Sequence, residues 1–226
     1  VMPAYARSTA HYRSNKTIQP AAFEAWQARV LLLAAEKPRA AYQQGIVDHD
    51  FLTQVANLSV LDDGPLVAQD FLHKHGIAVV IEAHLPKTYL DGAALLDAQG
   101  RPVIGLTLRH DRLDNYWFTL LHELVHVGWH LDAEHPAFFD VLDASDDSPQ
   151  EREADRIAGE TLISPDQWLA GNLLFQHDTQ HVQILAQQWH RHPAILAGRV
   201  QYETGNFRLL HQLVGRGQVR SLFEQG

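Results

Sequence analysis

The five residues His122-Glu-Leu-Val-His126 place the strongest constraint on this chain. On a helix, residues four positions apart lie on one face, so both imidazoles can reach one metal ion. Neutral imidazole suits zinc, and Glu123 between them can take a proton from a water molecule that the ion activates. Apolar residues surround the motif and predict a helix from about Asp114 to His130. The pattern therefore predicts a helix that carries part of a metal site.

Composition limits how such a site can be completed. The 226 residues include 15 histidines and no cysteine. Disulfide frameworks and thiolate zinc sites are thus excluded, and the remaining ligands must be His, Asp or Glu. The formal net charge of −9 argues against direct binding of nucleic acid. The longest aliphatic run, Val30 to Ala35, is far too short to span a membrane. No segment resembles a signal peptide, so we expect a cytoplasmic protein.

The pattern along the chain predicts an α+β fold, with one small sheet between helical segments. A β-branched run at Ile77 to Ile81 predicts a buried strand, and Gly92 to Leu96 with Pro102 to Leu108 predict a hairpin. Residues 1–19 are expected to form a loose polar arm, and Asp132 to Asp147 a loop. The predicted helices outside the metal motif begin at Pro20, Asp50, Gly64, Ser148, Ser164, Thr179, Pro193 and Phe207.

We divide the chain into three parts on these patterns. Residues 1–62 are expected to form the arm and a helical segment, and residues 63–170 the core that holds the sheet and the metal motif. Residues 171–226 are expected to add a C-terminal helical segment.

A third metal ligand is needed, and the sequence offers several candidates. His130 continues the four-residue spacing, but each such step turns about 40° past a full helical turn, so three in a row converge poorly on one ion. Glu151 opens the next predicted helix, where it is also the third residue of a capping box with Ser148. Asp155, one turn later, can accept the free N–H of a ligand imidazole. We favour Glu151 as ligand, and Glu153 remains the rival.

The histidine motif and the acidic segment that begins at Glu151 both resemble those of the ImmA/IrrE-type metallo-endopeptidases. The similarity rests on His122-Glu-Leu-Val-His126 with His130 after it, and on Glu151-Arg-Glu-Ala-Asp-Arg-Ile-Ala158. It extends more weakly over about residues 65–200. Where the family more commonly carries Asn, this chain carries Asp155. The resemblance implies a zincin-like core, with a small antiparallel sheet packed on helices and extra helices at the C-terminal side.

The resemblance also implies a function. It points to a cytosolic zinc-dependent endopeptidase whose protein substrate is a helix-turn-helix repressor or an antitoxin. Its gluzincin-like site would use His122, His126 and Glu151 as ligands, with Glu123 as the general base. The side chains that could stabilise the oxyanion are Tyr89, Tyr116 and His130. We further predict that an extended substrate pairs with Pro102 to Leu108 as the exposed edge of the sheet.

Two alternatives remain open on the sequence. A site of two histidines and one carboxylate also suits manganese or iron, so the metal is not fixed. The rival function is a non-catalytic metal-binding regulator that recognises a repressor or toxin partner. Substitution of Glu123 separates the two, because a protease loses cleavage and a binding module keeps its partner control.

Overall fold

A computed structural model describes residues 11–12, 20–86, 88–140 and 148–224. The predicted arm, residues 1–19, lies outside this part of the chain apart from His11 and Tyr12. The strands are β1 (His11–Tyr12), β2 (Ala78–Ile81), β3 (Gly92–Leu96), β4 (Pro102–Leu106) and β5 (Ala137–Asp140). The helices are α1 (Pro20–Glu36), α2 (His49–Asn57), α3 (Gly64–Lys74), α4 (Leu113–Val125), α5 (Pro149–Leu162), α6 (Pro165–Gly171), α7 (Thr179–Gln188), α8 (Pro193–Thr204) and α9 (Gln218–Phe223).

The predicted α+β class is confirmed, but the sheet is mixed where an antiparallel one was predicted. Its strand order is β1-β5-β3-β4-β2. β3 runs antiparallel to both of its neighbours, whereas β2 is parallel to β4 and β1 is parallel to β5. The β3–β4 hairpin was predicted from its turn, in which Gly100 donates its N–H to the Asp97 carbonyl. The two outer pairings join segments distant in sequence, which no local turn signal reports.

The edge prediction for Pro102 to Leu108 is wrong. β4 lies between β3 and β2 and is hydrogen-bonded on both sides, so it offers no edge to a substrate. On the other side of β3 lies β5, between β3 and β1, within the segment predicted to be a loop. Its apolar run, Ala-Phe-Phe, is only three residues long in an acidic, proline-containing stretch, and this brevity hid the strand.

Alternating side chains give the sheet two apolar faces. On the outer face, Ala93, Val103 and Phe139 pack with residues of α1, among them Trp26. Gly105 of β4 makes room for that ring, because a Cβ there would lie 2.6 Å from a Trp26 ring carbon. On the inner face, Ala94, Ile104 and Phe138 pack against α4 and belong to the main core. The residues that face α4 are therefore fixed by strand register.

Helix α4 is the centre of the molecule. It contacts β3 and β4 on one side and α2, α5 and α8 on the others. Burial on every side explains why its sequence, Leu-Asp-Asn-Tyr-Trp-Phe-Thr-Leu-Leu-His-Glu-Leu-Val, is apolar around most of the helix. Polar residues in this helix, such as His122 and Glu123, are consequently buried inside the protein.

The C-terminal side adds helices to this core, although not all as predicted. α7 and α8 lie where the sequence predicted them, whereas the predicted helix at Phe207 to Val214 is a succession of turns. In the described part of the chain, no helix combines the length and the apolar character needed to cross a membrane.

Candidate metal centre

Three ligand-type side chains converge between α4 and α5. Nε2 of His122 lies 3.1 Å from Nε2 of His126 and 3.1 Å from Oε2 of Glu151, and Nε2 of His126 lies 3.4 Å from Oε1 of Glu151. Four-coordinate zinc with bonds of about 2.0–2.1 Å separates its ligand atoms by about 3.3 Å. The two ring nitrogens and the Glu151 carboxylate are therefore spaced as neighbouring ligands of one small ion, which the ligand triangle of His122, His126 and Glu151 could hold.

Local structure explains how Glu151 reaches the histidines. α5 begins after Ser148, whose hydroxyl accepts the N–H of Glu151, with Pro149 in the first turn. The predicted cap is thus present, yet it uses only the backbone of Glu151. The carboxylate points instead across the helix interface, and Glu151 is 2% exposed.

The orientation of His122 also favours a metal. Its Nδ1 lies 3.0 Å from Oδ1 of Asp155, one turn after Glu151 on α5. A proton on Nδ1 would face this carboxylate, and Nε2 of a neutral ring would then present a lone pair. That lone pair faces acceptor oxygens of Glu151 and the second imidazole. Nitrogen lone pairs and carboxylate oxygens at such short distances repel one another unless a cation lies between them. These residues therefore fit a metal ion.

The charge balance of the site points the same way. Buried side chains here include two imidazoles but three carboxylates, those of Glu123, Asp140 and Glu151. Burial by itself lowers the pKa of His122, yet the facing carboxylates, led by Asp140, raise it well above its usual value. Burial also raises the pKa of Glu151, but hydrogen bonds with His122 and His126 pull it below its usual range. A cation would satisfy this demand for positive charge.

Glu123 differs from the ligand candidates because its carboxylate has no hydrogen-bond partner in the described part of the chain. Neither oxygen accepts a hydrogen bond there, and the residue is fully buried. Burial raises the pKa of this carboxyl well above its usual value, and nearby Asp140 and Glu151 add to the effect. Leaving a buried carboxylate without donors costs stability, and such groups are concentrated at functional sites.

Gly92 of β3 makes the space that Glu123 occupies. A Cβ at this position would lie 2.4 Å from Oε1 of Glu123 and 2.8 Å from a Thr119 methyl carbon. We therefore expect Gly92→Ala to push the carboxylate aside and lower any hydrolytic rate by about 10²-fold, as misplacement by about 1 Å does, with zinc still bound. Rates on labelled casein and zinc content by mass spectrometry would measure this.

Gly159→Ala on α5 is the control for that substitution. Its Cβ would meet only the end of the flexible Arg199 side chain, at 3.3 Å. This variant should keep the parent rate, and a parent-like rate for Gly92→Ala would show that the position of Glu123 does not depend on Gly92.

The other predicted candidates lie outside the ligand triangle. His130 and Glu153 contact each other at 3.1 Å, and His130 also contacts His126. The Tyr116 hydroxyl donates to the Pro65 carbonyl. Tyr89 packs against the apolar cluster on the outer, α1 face of the sheet.

Two residues of β5 were missed by the sequence analysis. Asp140 offers a carboxylate close to His122 and Glu123, and the Phe138 ring stacks on His126 with centroids 4.5 Å apart. Both lie on the inner face of the strand, two residues apart. The short apolar run before Asp140 was the one available signal for them.

Comparison with known proteins places the site within a family. A sequence model described as the peptidase M78 family, IrrE N-terminal-like domain, matches residues 73–199, which is more than half of the chain. The matched range contains the histidine motif of α4 and the acidic segment of α5. A search of curated proteins gave no match.

Proposed function

Because the chain belongs to the peptidase M78 family with its IrrE N-terminal-like domain, we propose that it is a zinc-dependent endopeptidase. The family supports a metallopeptidase type of function and a protein substrate. The resemblance to ImmA/IrrE proteins is thereby confirmed. We propose that His122, His126 and Glu151 hold the metal and that Glu123 is the general base.

One observation carries this proposal. The Nε2 atoms of the two histidines lie 3.1 Å apart, and each lies 3.1–3.4 Å from one oxygen of the Glu151 carboxylate. A buried Glu123 without hydrogen-bond partners in the described chain lies next to this group, the ligand triangle. A purely structural role would leave the cost of burying that carboxylate without a compensating gain. A role in proton transfer supplies a reason to keep it.

The chemistry follows from the positions of the chain's own groups. Zinc supplies Lewis acidity when bound. Glu123 takes a proton from the attacking water and returns it to the leaving amine nitrogen as the peptide C–N bond breaks. The raised pKa of the buried carboxyl suits this shuttle, because a stronger base takes the proton of water more readily.

For the substrate we propose a DNA-binding repressor or an antitoxin. The resemblance to ImmA/IrrE proteins supports this choice, as does the net charge of −9, which disfavours DNA as the direct ligand. The ligand residues and Glu123 are at most 2% exposed. Such burial suits a protease that must not cut indiscriminately.

Metal binding can be tested without any substrate. We expect zinc to raise stability by about 4 kcal/mol when its free concentration is 1,000 times Kd, or roughly 8–16 °C in Tm. Calorimetry of chelator-treated protein before and after zinc addition measures this. Manganese is tested in parallel, since the donor set also suits it.

The test variant and the control variant for that experiment both change a glutamate of α5. Glu151→Ala should lose the zinc-dependent shift, whereas Glu160→Ala, an exposed residue on the same helix, should keep it. A parent protein whose Tm does not respond to zinc would contradict the metal site. A full response in Glu151→Ala would remove this residue from the ligand set.

Cleavage is tested by incubating the zinc-loaded protein with helix-turn-helix repressors and antitoxins, and with labelled casein as a general probe. We expect discrete new termini by mass spectrometry that disappear with a chelator. Intact substrates in every case would argue against the peptidase.

The burial of Glu123 also favours a second candidate, a non-catalytic metal-binding regulator of a repressor or toxin. A binding module needs no access to its buried carboxylate. In that case zinc-loaded protein would bind its partner without cutting it, and Glu123→Gln would retain the regulation.

A further inference from the structure

We propose that His130 and Glu153 form a positioning pair that fixes the ring of His126, an inference that rests on the metal site proposed above. Both residues were candidates for the ligand set, and the structure gives them a different place. Their contacts run behind the His126 ring, away from the ligand triangle.

The contacts run without a break from His126 through His130 to Glu153. Nδ1 of His130 lies 3.0 Å from Nδ1 of His126, and Nε2 of His130 lies 3.1 Å from Oε2 of Glu153. The His130 side chain is only 7% exposed, whereas the Glu153 side chain is 46% exposed. The pair thus links the buried His126 to a carboxylate at the surface of α5.

A widened helical turn brings His130 to this place. Residues His126–His130 form a π-turn, in which the Leu131 N–H donates to the His126 carbonyl, five residues back, at 2.8 Å. A wider turn removes part of the rotation that four residues accumulate in an α-helix. The His130 ring therefore lies against the His126 ring, a position that straight-helix geometry did not predict.

Hydrogen-bond chemistry then determines which ring nitrogen of His126 and of His130 carries the proton. If Nε2 of His126 presents its lone pair to a metal, the proton of this neutral ring is on Nδ1. That N–H can only donate, so Nδ1 of His130 must accept. The remaining N–H of His130 is then on Nε2 and donates to Glu153. This is the one arrangement of neutral rings that satisfies both contacts and leaves the ligand nitrogen free.

The arrangement parallels that of the other ligand histidine. Asp155 contacts Nδ1 of His122 directly at 3.0 Å, while Glu153 acts on His126 through His130. Helix α5 thus contributes three carboxylates with separate tasks, one toward the ion and one toward each imidazole. The Phe138 ring stacks on His126 and holds its plane, but supplies no acceptor for Nδ1.

Direct ligation by His130 is disfavoured by the same geometry. Its contact is with Nδ1 of His126, whereas the triangle is formed by Nε2. Outer partners of metal ligands affect binding by orienting the ring, and their loss weakens metal affinity by about 10–100-fold.

The experiment is a zinc competition titration of the full chain against a chromogenic chelator. We expect His130→Phe, which keeps a ring of similar size but no acceptor, to raise the Kd for zinc by about 10–100-fold. Glu153→Ala should raise it less, because this residue is half exposed and water can replace its oxygen. Glu153→Gln should restore affinity toward the parent value, since its amide oxygen accepts the same N–H.

Cobalt substitution distinguishes positioning from ligation. The visible absorption of the Co²⁺ protein should keep its band positions in His130→Phe, since the ligand set is unchanged. A spectrum that reports a lost nitrogen ligand would overturn the proposal, as would parent-like zinc affinity in both His130→Phe and Glu153→Ala. Circular dichroism checks folding, and Glu160→Ala is the control. Failure of the parent to bind zinc would instead contradict the proposed function.

Discussion

Glu123→Gln is expected to abolish peptide hydrolysis while zinc binding persists. The amide cannot take the proton of the attacking water, and loss of a general base lowers rates by about 10²–10⁴-fold. The substitution preserves shape in a site where Gly92 leaves no spare room. It also removes a carboxyl that is buried without partners in the described chain, so folding stability should not fall.

The measurement compares initial rates on labelled casein, and on any repressor found to be cut, at equal zinc occupancy. Glu160→Gln provides the control, because this exposed glutamate pairs with Arg156 on the outside of α5. Hydrolysis at the parent rate by Glu123→Gln would exclude Glu123 as the base. If neither protein cuts but both regulate the same partner, the binding-module function is correct.

Arg191→Met is expected to give the largest loss of folding stability. The buried guanidinium donates at 2.9 Å to the carbonyls of Thr161 and Leu162, at the C-terminal end of α5, and to the His190 carbonyl. It also donates to the side chain of Asn57, the last residue of α2. These helix-end carbonyls have no partner within the helix, and each buried group left unsatisfied costs about 1–3 kcal/mol.

Burial lowers the pKa of Arg191 to about 10, so it stays charged at neutral pH and favours the negative end of the α5 dipole. We expect a loss of about 3–5 kcal/mol in the free energy of unfolding. Urea denaturation in excess chelator measures it without the contribution of zinc. Arg216→Met, at an exposed position, should change stability by less than about 0.5 kcal/mol. A loss that small for Arg191→Met would show that other donors replace it.

The sequence predicted the helices at the site and the hairpin better than it predicted the order of the strands in the sheet. The metal helix, the capped start of α5 and the β3–β4 hairpin follow from spacing within a few residues, and each is present. β5 was missed, and β4 was wrongly placed at an edge. Strand order depends on pairings between distant segments, which local alternation of side chains does not encode.

The same distinction holds within the candidate site. Sequence spacing put His122 and His126 on one helical face and drew attention to Glu151 and Asp155, because periodicity and hydrogen-bond chemistry are local. The π-turn at His130 could not be predicted, since the widened turn is compatible with many sequences and is selected by packing.

By itself, then, the sequence determined which side chains can bind a metal, and it excluded a thiolate ligand. Residue types and their spacing along a helix can be read from the sequence without knowledge of the tertiary structure. The tertiary structure alone decided which carboxylate meets the histidines and which stands behind them. Glu151 and Glu153 are two residues apart on one helix, and only the packing of α5 against α4 turns one toward Nε2 of His122 and the other toward His130.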